Sequence, residues 1–332
     1  MKYTNRISTE ALKIPFLNSF DDLASVLSLS KTQLYVLVNI KNRCYSQVNI
    51  PKKDGSYRTL YVPSYSMKIV QKWIYEEILK RITPSDYSRA FILGKEGVLE
   101  TIEDHINQSY VLCMDLHDFF NSIKKKRVFY FFLSLGYNVE VANLLTELCT
   151  YEDVLPQGAV TSPYLSNLLC YRFDSRLSGL CKKRGIIYSR YADDLYFSSN
   201  NRVQLLKIIK IVSAIAKNEG FEVNNYKTRF FSNNHKKLIL GVCVNDNQCH
   251  VLKEYKRLIR AEIFNCMKSG DYSNRNHILG KINYVNYIEN GYSDKIKAYV
   301  FALSQKRFLL SNSELREAYK NNKFFKDLPD CW

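Results

Sequence analysis

The chain has 332 residues, of which 46% are hydrophobic and 24% charged, and these values are typical of folded globular proteins. Lys and Arg number 48 against 32 Asp and Glu, and the resulting net charge of +16 makes nucleic acid the expected partner. Aromatic residues make up 14%, and aromatic rings beside cations hold single strands by stacking. A basic protein without nucleic acid is the simpler alternative.

Cysteine use and hydropathy indicate where the protein works. The nine cysteines include no Cys-x-x-Cys pair, and several lie in apolar runs, as buried, reduced thiols do. No N-terminal segment resembles a signal peptide, and the apolar stretch at 128–135 is too short to span a bilayer. We therefore expect a cytoplasmic protein with no membrane partner. Zinc binding by Cys243, Cys249 and His250 is a weaker alternative, because their spacing fits no standard zinc pattern.

The beginning of the chain predicts short helices followed by a hairpin. Over residues 1–48, Asn18 or Ser19 can cap one helix and Ser30 another. Two short capped helices are compatible with a helix-turn-helix, but a small packing layer is the preferred interpretation. Asp54–Gly55 then predicts a hairpin turn between two strand-like arms. Clustered cations in this hairpin suit a triphosphate, although a charged surface hairpin is the simpler alternative. These cations are Lys52, Lys53 and Arg58.

Residues 110–123 predict a buried strand that ends in a carboxylate. The apolar run at 110–114 is almost continuous, as in strands covered on both faces, and Asp115 follows it directly. A carboxylate at that place is costly unless it is paired or binds a metal. Phe119 and Phe120 then begin a helix.

A further helix is predicted after a flexible turn at Gln157–Gly158. Thr161 or Ser162 can cap this helix, with Pro163 in its first position. The free N–H groups at such a helix start favour a phosphate or a bound nucleotide. An ordinary loop leading into a helix explains this stretch equally well when it is considered alone.

The stretch at 187–198 predicts a β-hairpin whose tight turn carries two adjacent carboxylates, Asp193 and Asp194. Aromatic flanks lower the local dielectric and strengthen the repulsion between these carboxylates, and a divalent cation would relieve it. Mg²⁺ or Mn²⁺ prefers such oxygen ligands and keeps room for substrate phosphates. A solvated hairpin tip is the alternative. Asp115 is the natural third member of this group.

The last part of the chain is basic. Lys227 is an isolated cation after a strand, suited either to protonating a leaving group or to a plain surface position. Residues 238–252 predict one more hairpin, and helices follow from residue 253. Basic residues around the apolar stripe of these helices can contact the phosphates of a nucleic-acid backbone. An ordinary solvent-exposed face is the alternative. These basic residues are Lys253, Lys256, Arg257, Arg260 and Lys268.

Taken in order, these stretches resemble the reverse transcriptases, right-hand polymerases with fingers, palm and thumb. Asp115 matches the first catalytic carboxylate, the Leu-Pro-Gln-Gly of 155–158 the nucleotide-binding loop, and the Tyr-Ala-Asp-Asp of 191–194 the catalytic hairpin. Within that family the chain is most similar to the retron reverse transcriptases of bacteria. Two retron signatures are incomplete: only His105 of Asn-Ala-x-x-His is kept, and only Gly241 of Val-Thr-Gly.

The resemblance implies an α+β fold with fingers, a ferredoxin-like palm and a mostly helical thumb. The expected boundaries are 1–48 for an N-terminal helical layer, 49–109 for the fingers, 110–252 for the palm with finger helices inserted near 123–155, and 253–332 for the thumb and C-terminal tail.

The resemblance also implies roles for individual residues. The resemblance implies that the catalytic residues are Asp115, Asp193 and Asp194. It also implies that two Mg²⁺ ions, or Mn²⁺ ions, are bound by Asp115, Leu116, Asp193 and Asp194. Phe120 is the steric gate against a ribose 2′-hydroxyl, and Lys227 the candidate acid. Nucleotide contacts are expected from Lys53, Arg58, Phe120, Gln157, Gly158 and Lys227. RNA contacts are expected from His105, Lys253, Lys256, Arg257 and Arg260.

A retron enzyme would use dNTPs to copy part of one structured noncoding RNA (msr–msd) encoded beside its gene. It would start from a guanosine 2′-hydroxyl, keep the branched RNA–DNA product (msDNA) bound, and serve anti-phage defence with a separate effector protein. Two alternatives stay open. One is a different defence-associated bacterial reverse transcriptase with other priming and another product, and the other is a catalytically silent RNA-binding protein on the same fold.

Overall fold

The computed structural model describes residues 3–52, 55–232, 236–245 and 248–304. The expected triphosphate ligand Lys53, Asp54 of the expected hairpin turn, and residues 305–332 of the expected thumb and tail lie outside this range. The described residues fall into two compact units, one comprising those up to Asp104 together with Gln108–Phe230, and the other comprising His105–Asn107 and those after Phe230. The division into fingers, palm and thumb at the expected boundaries stays a prediction.

Short capped helices open the first unit, as the sequence predicts. They are α1 (Arg6–Ala11), α2 (Phe20–Val26) and α3 (Lys31–Asn39). The Ser19 hydroxyl accepts a hydrogen bond from the N–H of Asp22 at the start of α2. Ser30 and Gln33 form a reciprocal capping box at the start of α3, which satisfies two of its free N–H groups.

The predicted cationic hairpin follows, with strands β1 (Tyr45–Pro51) and β2 (Tyr57–Pro63) paired antiparallel. Helix α4 (Tyr65–Glu77) comes next and buries Met67, Val70 and Ile74. The spacing of Ile69 relative to Trp73 predicts a buried position for it, but Ile69 is 52% exposed. The apolar spacing of α4 fits two overlapping faces, and packing selects the one that contains Met67. Helix α5 (Gly97–His105) ends this region.

A five-stranded sheet forms the centre of the first unit. Its strands are β3 (Tyr110–His117), β4 (Ile187–Tyr191), β5 (Asp194–Ser199), β6 (Glu222–Val223) and β7 (Arg229–Phe231). The order is β4-β5-β3-β6, with β7 also paired to β3, and the β4–β5, β5–β3 and β3–β6 pairs are antiparallel. The buried strand predicted before Asp115 and the hairpin predicted at 187–198 are both confirmed.

Six helices accompany this sheet: α6 (Phe119–Ser122), α7 (Lys125–Ser134), α8 (Val139–Cys149), α9 (Ser162–Leu169), α10 (Tyr171–Lys182) and α11 (Arg202–Asn218). Thr161 precedes α9, but its side chain makes no capping hydrogen bond, and Ser162 rather than Pro163 is the first helical residue. The apolar spacing of α11 predicts that Leu206 faces inward together with Leu205, but Leu206 is exposed, because Leu205 and Ile208 occupy the buried face. A shared hydrophobic core joins the N-terminal helices to the sheet.

The second unit contains a small sheet and three helices. The sheet has strands β8 (Leu238–Ile239), β9 (Val242–Asn245) and β10 (Gln248–Val251) in the order β10-β9-β8. The hairpin predicted at 238–252 is thus a three-stranded antiparallel sheet. The helices are α12 (Lys253–Ser269), α13 (Arg275–Ile288) and α14 (Tyr292–Ser304), which bury Ile263, Ile282 and Ile296.

Helices and sheet together confirm the predicted α+β class. The eight cysteines in the described part of the chain form no disulfide. None of the helices described is long and apolar enough to cross a lipid bilayer.

Candidate active site

The sheet brings the three predicted catalytic carboxylates to one edge. Asp115 of β3 lies directly opposite Asp194 of β5 in the antiparallel register. Tyr191 and Asp194 close the β4–β5 hairpin, so Ala192 and Asp193 form its two-residue turn. The N–H of Leu116 donates to the carbonyl oxygen of Asp193 over 2.9 Å, which ties this turn to β3.

The backbone of the turn is unusual at Ala192, whose φ is 57°. A two-residue hairpin turn needs a left-handed φ at its first central residue, and glycine or asparagine is the common choice there. Alanine pays a steric cost in that region, and such cost persists only where the surroundings hold the backbone. Ala192 is buried, which agrees with a turn held by its neighbours.

Burial and mutual repulsion disturb the ionisation of these carboxyl groups. Burial, followed by the charges of Asp193 and Asp115, raises the pKa of Asp194 to about 6. The pKa of Asp193 is also raised, by burial first and by Asp115 next. A hydrogen bond from Tyr196 acts in the opposite direction on Asp194. The arrangement therefore favours a bound cation at neutral pH, because a cation would relieve the repulsion.

The raised pKa of Asp194 predicts how stability depends on pH without metal. In the native state the Asp194 carboxyl has a pKa of about 6, whereas its ordinary value, which applies to the unfolded chain, is 3.8. Between those pH values the native state binds more protons than the unfolded state, so stability falls as pH rises through that window. We expect Asp194→Asn to remove this loss of stability. The free energy of unfolding of the variant, relative to that of the wild type, should therefore increase as pH rises.

Urea unfolding in EDTA at about pH 4.5 and about pH 7.5 measures this effect for both proteins. The variant should gain most at the higher pH. An equal difference between variant and wild type at the two pH values would contradict the raised pKa.

Lys227 contacts Asp115 directly, and its neighbour Asn224 is bonded to the backbone of the same aspartate. The Lys227 ammonium group donates to Asp115 Oδ1 over 2.8 Å, and the N–H of Asn224 donates to the Asp115 carbonyl oxygen over 2.8 Å. The hydrogen bond to Asp115 raises the pKa of Lys227. The structure thus brings Lys227 into contact with one of the three predicted catalytic carboxylates.

The predicted nucleotide-binding loop contacts the cationic hairpin. The N–H of Tyr61 in β2 donates to the Gln157 carbonyl oxygen over 2.8 Å. Gly158 has a φ of 112°, and a Cβ atom there would lie 2.9 Å from the Tyr61 carbonyl oxygen. Arg58 on the same strand is exposed, and its charge opposes the rise in the pKa of Asp193. Gln157 and Gly158 therefore contact the strand that carries Arg58, and the charge of Arg58 reaches Asp193.

This close approach predicts a strong effect of Gly158→Ala. The added methyl group would meet the β2 backbone, and alanine is strained at that φ. We expect a loss of about 1–2 kcal/mol in the free energy of unfolding and a higher KM for dNTPs. Gly179→Ala is the matched control, because Gly179 lies in α10 with open space around it, and alanine favours helix. Equal stability of both variants in urea unfolding would refute the steric argument.

Phe120, the predicted gate, lies on α6 and is partly buried. Its ring packs edge-on against Phe119 at 5.3 Å between centroids, and at 6.5 Å from the ring of Phe91. Its role in sugar selection stays a prediction.

Sequence reasoning missed a buried network that supports the catalytic turn. The Arg190 guanidinium donates to both carboxylate oxygens of Asp174, each over 2.8 Å, and to the Ala192 carbonyl oxygen over 3.0 Å. It also donates to Asn167 Oδ1 over 3.2 Å, and the Tyr188 hydroxyl donates to Asp174 over 2.8 Å. Arg190 and Asp174 are fully buried. An arginine inside a strand of otherwise uncharged residues was the signal available in the sequence.

The carboxylates have the donor chemistry for a divalent metal. Oxygen ligands with raised pKa values at one sheet edge suit a hard cation such as Mg²⁺. Within the described ranges, no three or more His, Cys, Asp or Glu side chains form a group able to hold a metal by themselves. Mg²⁺ sites that act on nucleotides combine one or two carboxylates with substrate phosphates and water.

The expected RNA contacts differ in accessibility. Lys253, Arg257 and Arg260 on α12 are exposed. Lys256 is partly buried and pairs with Glu289 over 2.9 Å, and Arg260 lies over the Tyr299 ring at 5.6 Å. His105 is fully buried and so is not part of an accessible binding surface.

Aspartates that meet at one sheet edge, from β3 and from the β4–β5 hairpin, are typical of the catalytic centre of right-hand polymerases. The family "Reverse transcriptase (RNA-dependent DNA polymerase)" matches residues 50–246. The chain belongs to the retron-type reverse transcriptases and is an RNA-directed DNA polymerase.

Two relatives carry this assignment. The chain is 30% identical over 309 residues to the retron Ec86 reverse transcriptase of Escherichia coli, covering 92% of this chain and 95% of the relative. It is 29% identical over 306 residues to the retron Mx65 reverse transcriptase of Myxococcus xanthus, covering 85% and 71%.

A solved structure supports the fold. The chain is similar to telomerase from Candida albicans, in a complex with a telomeric RNA fragment, with a TM-score of 0.50 and 12% identity. The match covers 86% of this chain and 61% of the telomerase chain. The right-hand polymerase fold is thereby confirmed.

Proposed function

We propose that this enzyme reverse transcribes part of one structured noncoding RNA encoded beside its gene and keeps the product bound. The single observation that carries the proposal is the similarity to a retron reverse transcriptase over nearly the whole length of both chains. The product is a branched RNA–DNA hybrid that begins at a guanosine 2′-hydroxyl of the RNA. The enzyme serves anti-phage defence in the bacterial cytoplasm together with a separate effector protein.

The mechanism assigned to the site is nucleotidyl transfer with two Mg²⁺ ions, for which Mn²⁺ can substitute. Asp115, Asp193 and Asp194 would hold the ions, with the backbone of Leu116 beside them. When bound, the ions supply activation of the attacking hydroxyl and charge neutralisation at the departing pyrophosphate. Asp115 and Asp194 face each other across two strands, which supports a shared position for the ions.

The other residues bind, orient and supply a proton. Arg58 and Lys53 would bind the triphosphate of the incoming nucleotide, and Arg58 lies close enough for its charge to act on Asp193. Gln157 and Gly158 would line the nucleotide, supported by their contact with β2. Lys227 would give its proton to the departing pyrophosphate after leaving Asp115.

The sugar and the RNA are assigned to other parts of the chain. Phe120 would exclude a ribose 2′-hydroxyl. The exposed cations of α12 would contact the backbone and loops of the RNA; they are Lys253, Arg257 and Arg260. RNA-binding proteins recognise RNA shape and unpaired nucleotides more than the grooves of a duplex. Lys256 would contact RNA only when its ion pair with Glu289 is broken.

Isolation of the bound nucleic acid tests the proposal. The gene is expressed with its native flanking DNA, and nucleic acid from the purified protein is run on a denaturing gel with and without RNase. We expect a discrete DNA that shortens on RNase treatment and is absent for Asp193→Asn.

The other outcomes assign the protein elsewhere. Primer extension on a supplied template, without that DNA, would identify a reverse transcriptase with other priming and another product. Retained RNA without synthesis in either assay would identify the catalytically silent RNA-binding alternative.

A further inference from the structure

Phe91 has a backbone conformation that a large side chain rarely adopts. Its φ is 62°, in the left-handed region where non-glycine residues are uncommon and aromatic residues are outliers. The residue is 40% exposed, so complete burial of its side chain does not account for the strain. Strain of this kind persists where the surroundings impose it, and it concentrates at functional sites.

The segment before Phe91 is attached to the catalytic hairpin. The N–H of Arg190 donates to the Tyr87 carbonyl oxygen, and the N–H of Arg89 donates to the Arg190 carbonyl oxygen, each over 2.8 Å. Asn167 Nδ2 donates to the Ala90 carbonyl oxygen over 2.7 Å. The position of Phe91 is therefore set by the strand that leads into the Asp193 turn.

A close packing contact secures the same segment from the other side. A Cβ atom on Gly97 would lie 2.0 Å from the carbonyl oxygen of Arg89, so only glycine fits there. The Arg89 guanidinium also pairs with Glu100 at 3.1 Å and Asp104 at 2.8 Å. The backbone at 87–90 thus has bonded or packed neighbours on both sides.

Phe91 directs its ring at Phe120. The two centroids are 6.5 Å apart with the planes tilted by 47°. On its other side Phe120 contacts Phe119, which is buried in the core. The Phe120 ring is therefore held between a core aromatic and an aromatic fixed to the catalytic strand. A selective contact depends on a ring held in one orientation, because a mobile ring would yield to a larger substrate.

We propose that Phe91 is a positioning residue for sugar selection. Its ring holds Phe120 in the orientation that excludes a ribose 2′-hydroxyl from the incoming nucleotide. This inference rests on the gate role of Phe120 in the proposed function.

The test is the ratio of kcat/KM for dNTP to that for rNTP, measured with the full chain on a supplied primer and template. Phe91→Asn removes the ring and keeps a side chain that tolerates the left-handed region. We expect the ratio to fall by roughly threefold to tenfold, the size expected for one aromatic pair. Phe91→Tyr keeps the ring and should stay near the wild-type ratio. Leu93→Ala, an exposed apolar residue of the same loop, is the matched control and should not change the ratio.

Combination with Phe120→Ala separates this inference from the gate itself. If Phe91 acts through Phe120, Phe91→Asn causes no further fall of the ratio in the Phe120→Ala background. A fall of equal size in both backgrounds would overturn positioning through Phe120. An unchanged ratio for Phe91→Asn, with a lowered ratio for Phe120→Ala, would overturn the inference alone. Unchanged ratios for both variants would overturn the gate and this inference together.

Thermal unfolding checks that the variants are folded. If Phe91→Asn unfolds at a lower temperature than the wild type, Phe91→Leu replaces it, since leucine keeps an apolar side chain without the ring. The same fall in the ratio is then expected, and an unchanged ratio overturns the inference.

Discussion

Asp193→Asn is expected to lower nucleotide incorporation by at least about a thousandfold, because loss of a metal ligand removes several kcal/mol of transition-state stabilisation. The fold should be as stable as the wild type or more stable in EDTA. Burial and the neighbouring Asp115 raise the pKa of Asp193, so its charge is unfavourable without a metal. An amide keeps the size of the side chain and removes that charge. RNA binding should persist.

Single-turnover primer extension, urea unfolding in EDTA and filter binding of RNA measure the three properties. Asp21→Asn is the matched control, because Asp21 is an exposed carboxylate on α2 that pairs with Lys31 over 2.7 Å. Surface pairs of this kind contribute little, so the control should keep its activity. Activity of Asp193→Asn within tenfold of the wild type would remove Asp193 from the metal-binding set. A large loss of stability together with the activity would instead assign the residue a structural role.

Asp174→Ala is expected to cost about 3–5 kcal/mol of stability, because it leaves the Arg190 charge buried without its partner. The pair is fully buried, and the Asp174 carboxylate also accepts from Tyr188. Domains of ordinary stability have only about 5–15 kcal/mol in total, so this variant should unfold at a much lower urea concentration. Asp174 orients the Arg190 side chain, and Arg190 also donates to the Ala192 carbonyl oxygen in the catalytic turn. Nucleotide incorporation should therefore fall when Arg190 is no longer held in this orientation.

The double variant Arg190→Met with Asp174→Leu shows why Asp174→Ala is unstable. The cause is either the lost attraction between the two side chains or the buried charge of Arg190 left without a partner. Replacing both members of a buried pair by apolar residues of similar volume is often far less costly than removing one member. We therefore expect the double variant to be more stable than Asp174→Ala, while its turn still lacks the hydrogen bond to Ala192. Equal stability of the two variants would contradict the unpaired-charge argument. Wild-type activity in the double variant would show that the turn is held without Arg190.

Local patterns predicted most elements around the site correctly. The apolar run before Asp115 and the aromatic flanks of the Asp193 turn are strands, and Ser19 and Ser30 cap helices as expected. These features depend on neighbours within a few residues, so the sequence carries them directly. The helix faces were less certain. Ile69 and Leu206 are exposed although their spacing fits a buried stripe, because the packing partner selects among overlapping faces.

The sequence by itself determined the order of the motifs, the carboxylates available for a metal and the polymerase family that they identify. Only the tertiary structure decided that Asp115 faces Asp194, that Arg190 pairs with Asp174, and that Phe91 contacts Phe120. Each of these contacts joins residues from different elements. Their geometry depends on strand register and helix packing, which arise only when the whole core assembles.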